Sequence, residues 1–425
     1  MPNYIAFAVP FFFLFIGMEI WAARRKGLPV YRANDAVVDI STGMTQQIAL
    51  IFFKKAALFA AYLAVYHHRL VGLPLKSPLT WALGFVLIDL AYYWWHRLSH
   101  EVSLLWAAHV VHHSSEDYNL AVALRQSVLT PWTIVPFHLP LALLGVPPVV
   151  MVAVDSFNTL YQFWIHTPLV GPLGAVERWL NTPSLHRVHH AINPVYLDKN
   201  FGGTFMVWDR VFGTYQPETE PPVYGTVKPL RSFDPFVAQF HYWAELRDRV
   251  RAAPTLADKL GVLLRGPAWT PRGVAHSPPP EVRPETFVKY DPALAPALRR
   301  YVLVQVALVV AGATGLMFYE NALAPLPLAL GAALVLLGPL AWGGFLERRP
   351  WAFPVEAARL ALLALAGAVA AWARPGPPAA AVAAGVAAAG MAAWLARLWQ
   401  SSPSREPFPP RAAEPARRPP RPRPG

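Results

Sequence analysis

Apolar residues in this chain fall into long runs, not the spaced patterns of a soluble domain. Residues 4–22 form the first run and residues 79–95 another of similar length. A stretch from Ile48 to Tyr66 is comparable but holds Lys54 and Lys55. That span either shifts so the lysines reach the interface or lies partly within it. Residues 129–165 are apolar again, interrupted by Gly145, Pro147 and Pro148. This predicts two helices in a hairpin that enters the bilayer and returns to the same side. Further runs follow near 299–319, 325–345, 353–373 and 378–398. Some twenty apolar residues cross a bilayer as a helix, so the chain is expected to be an all-α integral membrane protein with about nine transmembrane helices.

The polar segments divide the chain. Residues 181–215 are polar and bear Gly and Asn, which predicts a cytoplasmic cap rather than a span. Residues 216–298 are polar and Pro-rich, with an amphipathic candidate near Val237–Leu264. The expected division is a membrane domain over 1–220 with its motif core at 80–215, a linker over 221–298, a four-helix membrane region over 299–398 and a disordered Pro/Arg-rich tail over 399–425. The C-terminal runs hold no histidine, and no polar residue is expected at their mid-bilayer level.

Charge sets the orientation. Arg24, Arg25 and Lys26 follow the first run instead of preceding it, which argues against a signal peptide. They place the N-terminus outside and the next loop in the cytoplasm. Arg348, Arg349 and the Arg-rich C-terminus fall on the cytoplasmic side under the same count, while Arg374 falls on the other. Charged residues make up only 15% of the chain against 55% hydrophobic, where soluble domains average about 25% charged. The net charge of +12 is scattered between apolar runs and the tail. It forms no polar stripe, so nucleic-acid binding is excluded. The chain has no cysteine, which removes disulfides, zinc–thiolate sites and iron–sulfur clusters.

Histidine carries the chemistry. His96 and His100 are spaced H-x-x-x-H, His109, His112 and His113 are spaced H-x-x-H-H, and His186, His189 and His190 repeat that spacing. Residues three and four apart share a helix face, so each cluster is expected to aim its imidazoles at one point. Together they suit one or two metal ions, and imidazole by itself fits iron, zinc, copper or nickel. Asn158, Gln162 and His166 recur every four residues on the second arm of the hairpin, which brings a further candidate ligand, His166, to the same membrane face. Asp89 lies seven residues before His96, as an acceptor for an imidazole N–H or as a packing residue. Asp89, Asn119, Asn158 and Gln162 are the candidates for residues behind the ligands. His67, His68, His241 and His276 read as structural or surface residues, and His138 as packing without a partner.

Attack on an unreactive C–H bond with O2 needs a redox metal with open positions, and two irons can share the electrons. Carboxylates are too scarce for an E-x-x-H di-iron bundle, and H-E-x-x-H, G-x-S-x-G and P-loop patterns are absent. The histidine words, with YYWWHRLSHEV, HVVHHSSEDYNLAVALRQS, YQFWIHT, NTPSLHRVHH and DKNFGG…WDRVFGTY, resemble the fatty acid hydroxylase/sterol desaturase superfamily of membrane di-iron oxygenases. The resemblance covers residues 35–220 and is strongest to the branch that oxidises alkylglycerol lipids, which also has extra C-terminal spans.

That resemblance implies two Fe ions, O2 and an external electron donor, with tetrahydropterin the donor in the closest branch. It implies His96, His100, His109, His112, His113, His186, His189 and His190 as catalytic ligands, with His166 matching a further family histidine. It also implies a cap over the metals, a lipid substrate arriving laterally from the bilayer, and a reductant or electron-transfer protein as partner. The composition suggests a bacterial origin, hence an inner-membrane location with the active site on the cytoplasmic face. One departure is visible: the family commonly reads S-H-H-R-V-H-H, and this chain has Leu185 before His186. The alternatives are a superfamily member acting on sterol, fatty acyl or carotenoid carbon, and a non-catalytic membrane protein whose histidines hold a structural metal.

Overall fold

Proline opens six of the helices, because its missing N–H costs nothing in the first turn and its fixed φ suits it. A computed structural model of the protein describes residues 4–52, 55–271, 273, 282, 287–373 and 379–401. Lys54, His276, Arg374 and residues 402–425 lie outside them. The helices are α1 (Tyr4–Arg25), α2 (Ala33–Phe52), α3 (Lys55–Tyr66), α4 (Pro78–Glu101), α5 (Ser103–His113), α6 (Thr130–Leu143), α7 (Pro148–Ile165), α8 (Pro183–His190), α9 (Val207–Val211), α10 (Pro235–Ala252), α11 (Leu256–Leu264), α12 (Pro296–Tyr319), α13 (Pro325–Leu346), α14 (Ala352–Ala373) and α15 (Ala379–Ser401). Pro78, Pro148, Pro183, Pro235, Pro296 and Pro325 each stand at a helix start. Among the described residues the only strand-like pairings are two isolated bridges, Leu180 with Phe205 and Ala191 with Tyr224.

Four helices among the described residues are long and apolar enough to cross a membrane: Ile5–Arg25, Pro296–Tyr319, Pro325–Leu346 and Ala352–Val369. The expected span from Ile48 to Tyr66 is described as the end of α2, to Phe52, and as α3, from Lys55; residues 53–54 between them lie outside the described residues. The proline-broken hairpin is present as α6 and α7, with Gly145 at φ +90° in the turn. A Cβ on Gly145 would sit 2.0 Å from the Val71 carbonyl oxygen, so both the turn and the contact require glycine.

α4 is the axis of the catalytic half and packs against α5, α6 and α7. Its approach to α7 is close at Gly84, where a Cβ would meet Val150 at 2.5 Å. The partly buried α2 lies between the two halves. On one side Gly43 presses on the Leu124 carbonyl, and on the other Ser41 Oγ accepts from Trp342 Nε1 at 2.8 Å. Val37, Val38, Met44 and Ile48 share one apolar core with α12, α13 and α14. The C-terminal helices therefore buttress α2 directly.

Those helices carry a buried polar cluster, with Glu356 and Arg359 in the first turns of α14. Arg359 is buried and donates to Glu356 (2.7 Å) and to Gln305 (2.6 Å), while Tyr301 donates to Glu356 at 2.7 Å. The cluster ties α12 to α14. Substituting Arg359→Met should destabilise the protein by about 3–5 kcal/mol, because Glu356 is left buried and uncompensated. A thermal unfolding scan in detergent, with the Glu356→Gln/Arg359→Met pair recovering part of the loss, checks this.

Candidate metal centre

The nine cluster and hairpin histidines arrive on four elements: α4, α5, the residue after α7, and α8. Every one is buried, at 9% exposure or less. They do not converge cluster by cluster as expected. His96, His100, His109, His113 and His189 form one group, and His112, His166, His186 and His190 form the other. Helical geometry explains the division. Residues four apart point the same way, while neighbours diverge by about 100°. So α5 sends His109 and His113 to the first group and His112 to the second. α8 does the reverse, sending His186 and His190 to the second group and His189 to the first. Each H-x-x-H-H word thus serves two centres. The groups touch: the rings of His113 and His190 stack at 4.4 Å.

Distances test whether these donors suit a metal. In the first group Nε2 of His109 lies 3.0 Å from Nε2 of His96 and 3.1 Å from that of His113, which lies 3.1 Å from that of His189. In the second, Nε2 of His166 lies 3.3 Å from that of His112 and 3.1 Å from that of His186, which lies 3.2 Å from that of His190. Two nitrogens each about 2.1 Å from one ion and about 90° apart are separated by about 3.0 Å. The observed spacings therefore fit the edges of a coordination polyhedron that an ion would complete.

Protonation agrees. Nδ1 of His96 lies 2.8 Å from the Phe201 carbonyl, Nδ1 of His112 2.9 Å from that of Arg125, Nδ1 of His166 2.6 Å from that of Gln162, and Nδ1 of His189 3.0 Å from that of Lys199. A carbonyl only accepts, so each Nδ1 carries the proton and each Nε2 presents a lone pair inward. Lone pairs facing one another at these distances repel unless a cation lies between them. Nε2 of His100 is buried with no hydrogen-bond partner, as a donor awaiting an ion would be. Burial, and to a lesser degree neighbouring imidazoles, hold His109, His113, His186, His189 and His190 well below the ordinary imidazole value, and burial holds His112 at about 4. The neutral, metal-binding form is thus the form the fold favours.

Comparison with known proteins now decides the family. Residues 81–214, which contain all nine histidines, match the fatty acid hydroxylase family model. Alkylglycerol monooxygenase of Homo sapiens is 39% identical over 373 residues, 84% of this chain and 81% of its own. That of Danio rerio is 38% identical over 370 residues, 86% and 82% of the two chains. Ornithine lipid hydroxylase OlsE of Rhizobium tropici is 29% identical over 140 residues, 33% of this chain and 42% of its own. No solved structure matches significantly.

The chain belongs to the fatty acid hydroxylase family.

It is a membrane lipid monooxygenase of that superfamily, an oxidoreductase. Membership sets aside the reading of a non-catalytic protein with a structural metal.

The residues that support the ligands of this fatty acid hydroxylase are mostly not those expected. Asp89 accepts no imidazole proton. It takes Thr204 N (2.8 Å), Phe205 N (3.2 Å) and Trp208 Nε1 (2.8 Å), and so fixes the cap loop over α4. Asn119 shapes its own turn through Ala121 N and the Val30 carbonyl. Asn158 accepts from Thr204 Oγ1 at 3.0 Å. Gln162 alone touches a ligand, through its main-chain oxygen, while its side chain accepts from Tyr92.

Three supports were missed. Asp209 accepts from Phe201 N, Gly202 N and Thr214 Oγ1, each at 2.7 Å, and so sets the loop whose carbonyls hold His96 and His189. Arg125 is buried, donates to Asp39, Ser114 and the Val111 carbonyl, and offers its own carbonyl to His112. Asp198 stands 3.9 Å from Nδ1 of His100. His138 is buried and its Nε2 makes no hydrogen bond, with Asp155 3.7 Å away, as expected of a packing residue. His67 and His68 are exposed, and His241 bonds to the Ala238 carbonyl of its own helix. Leu185 is buried with its carbonyl held by Asn200 Nδ2 at 2.9 Å, and the departure from the family pattern leaves His186 in place.

Proposed function

We propose that this hydroxylase uses two irons to oxidise the ether-adjacent carbon of an alkylglycerol lipid. The observation that carries the reading is the pair of imidazole groups, five donors and four, in a chain aligned with alkylglycerol monooxygenases along most of its length. Irons held by these nine imidazoles would supply the reduction of O2 and the oxidation of the C–H bond, with coordination positions left over for O2. The balance is one lipid C–H, one O2, two electrons and two protons giving one C–OH and one water. The hydroxylated ether carbon then collapses to an aldehyde and a glycerol. An external reductant delivers the electrons, and tetrahydropterin is the donor by resemblance.

The chain's own residues hold the donors and keep water away. The carbonyls of Phe201, Arg125, Gln162 and Lys199 hold the Nδ1 protons, so the rings stay neutral and cannot turn. Aromatic faces line the groups. Trp95 stacks on His96 at 5.8 Å, Trp106 lies 4.9 Å from His100, Phe201 lies 5.3 Å from His100, and Tyr118 lies 5.4 Å from His190.

The protein is an integral membrane protein. In our reading the N-terminus is outside, and the cap and the C-terminus are cytoplasmic, at the inner membrane of a bacterial cell. α1, the Ile48–Tyr66 stretch, α4, the α6–α7 hairpin and the four C-terminal helices make up a membrane part of about nine spanning segments. Residues 1–220 form the catalytic domain, 221–298 the connecting region and 299–398 the buttress. Substrate reaches the metals sideways from the lipid. Incubating reconstituted protein with iron, O2 and reductant should consume an alkylglycerol and release aldehyde. Consumption of a sterol or a fatty acyl chain in its place would move the assignment to another branch of the superfamily.

A further inference from the structure

Three exposed tryptophans, Trp21, Trp132 and Trp164, lie on helix ends next to residues that contact the metal groups or their neighbours. Trp21 is 62% exposed near the end of α1, two residues past Glu19, whose carboxylate accepts from Leu120 N (2.9 Å) and Thr167 Oγ1 (2.5 Å). The end of α1 is therefore level with His166. Trp164 is exposed at the end of α7. Trp132 is exposed at the start of α6, beside Thr133, which accepts from Trp95. Tryptophan and tyrosine belts mark the headgroup layer of a bilayer.

One part of the cap continues this belt. Residues 173–180 and α9 lie side by side, pinned by the Leu180–Phe205 bridge and by Met206 N donating to the Trp179 carbonyl at 2.9 Å. Tyr161 of α7 donates to the Asn181 carbonyl at 2.6 Å and joins them to the hairpin. Their outer face is apolar: Trp179 is 65% exposed, Val211 is 64% exposed, and Leu173 and Val176 are exposed beside them. Arg178 and Arg210 flank a shallow concavity of about 460 Å³ between Trp179, Val207 and Val211. Arg210 is already positioned, lying 3.7 Å over the Tyr215 ring and donating to the Glu177 carbonyl at 3.1 Å. Apolar side chains beside arginines are what a headgroup layer accommodates: carbon below, phosphate above.

We propose that residues 173–180 and α9 are a wedge seated in the headgroup layer, with Arg178 and Arg210 on glycerophospholipid phosphate. The cap is then part of the membrane interface, not a lid above it. This rests on the chain being an integral membrane protein, and not on the metal or the substrate.

The chain has no cysteine, so each engineered cysteine is a unique label. Full-length protein with an environment-sensitive fluorophore at Val211→Cys or Val176→Cys is reconstituted into phosphatidylcholine–phosphatidylglycerol vesicles. We expect both labels to be quenched several-fold more by headgroup-nitroxide lipid than by aqueous iodide. A label at Asp248→Cys, among the exposed charges of α10, should show the reverse. A label at Leu14→Cys, on the exposed face of α1, should be quenched by acyl-chain nitroxide. That last result tests the membrane reading separately. Iodide quenching at Val211→Cys equal to that at Asp248→Cys overturns the wedge. Protection from both quenchers also overturns it, since a protein partner or a second copy would then cover the face. Unchanged headgroup quenching in an Arg178→Gln/Arg210→Gln background overturns the phosphate assignment.

Discussion

His112→Ala is expected to lower turnover by more than about 100-fold and to leave one iron per chain in place of two. The loss exceeds the 10–100-fold typical of residues behind a ligand, because a direct donor is removed. His112 and His113 are neighbours in sequence but belong to different groups. His113→Ala should therefore also cost one iron, but from the other centre. The two variants should give different spectra for the ion retained, and the double variant should retain none. His67→Ala, at an exposed position, serves as the control and should match the parent. Metal analysis, a turnover assay and a thermal scan on the same preparations check this. Full activity with two irons in His112→Ala would sink the ligand assignment.

The second large effect is expected at a residue that touches no histidine. Asp209→Ala strips the acceptor from Phe201 N and Gly202 N, and so frees the carbonyls that hold His96 and His189. Both imidazoles belong to the first group. Iron affinity there should fall by roughly 10–100-fold, with activity following, while the second group keeps its ion. Asp209→Asn should be intermediate, because its amide oxygen still accepts one N–H while its NH2 opposes the other. A merely structural role would lower the unfolding temperature and leave the two iron affinities equal. Titration of iron into metal-free protein, followed by the spectrum of each centre, separates these outcomes.

These two predictions differ in how visible they were beforehand. His112 stands in a spaced word and could be read directly. Asp209 stands in WDRVFGTY with nothing local to mark it, because its partners are main-chain amides of residues 201 and 202. The same holds for all four carbonyls that orient the imidazoles: every residue has a carbonyl, so type says nothing about which one is used. Arg125 is similar. Its charge looks like an ordinary loop residue until α2 brings Asp39 to within 2.9 Å. Asp89 shows the converse: its helical register with His96 leaves open an imidazole acceptor or a packing residue, and the cap loop takes its oxygens, which is the packing role. The polar cluster of Gln305, Glu356 and Arg359 was overlooked because each residue sits alone in an apolar run, and only packing of α12 on α14 makes them partners.

Sequence by itself determined what depends on spacing along one chain: the apolar runs, the proline-broken hairpin, the histidine identities and their family. It also contained, in the 100° between adjacent residues, the fact that H-x-x-H-H cannot aim all its rings one way. Tertiary structure decided which rings meet, because convergence depends on how α4 packs on α5 and α7 and how α7 meets α8, with α4 brought close to α7 at contacts such as Gly84 on Val150. It also decided what holds them, because a hydrogen bond between residues distant in the chain has no signature in either local sequence.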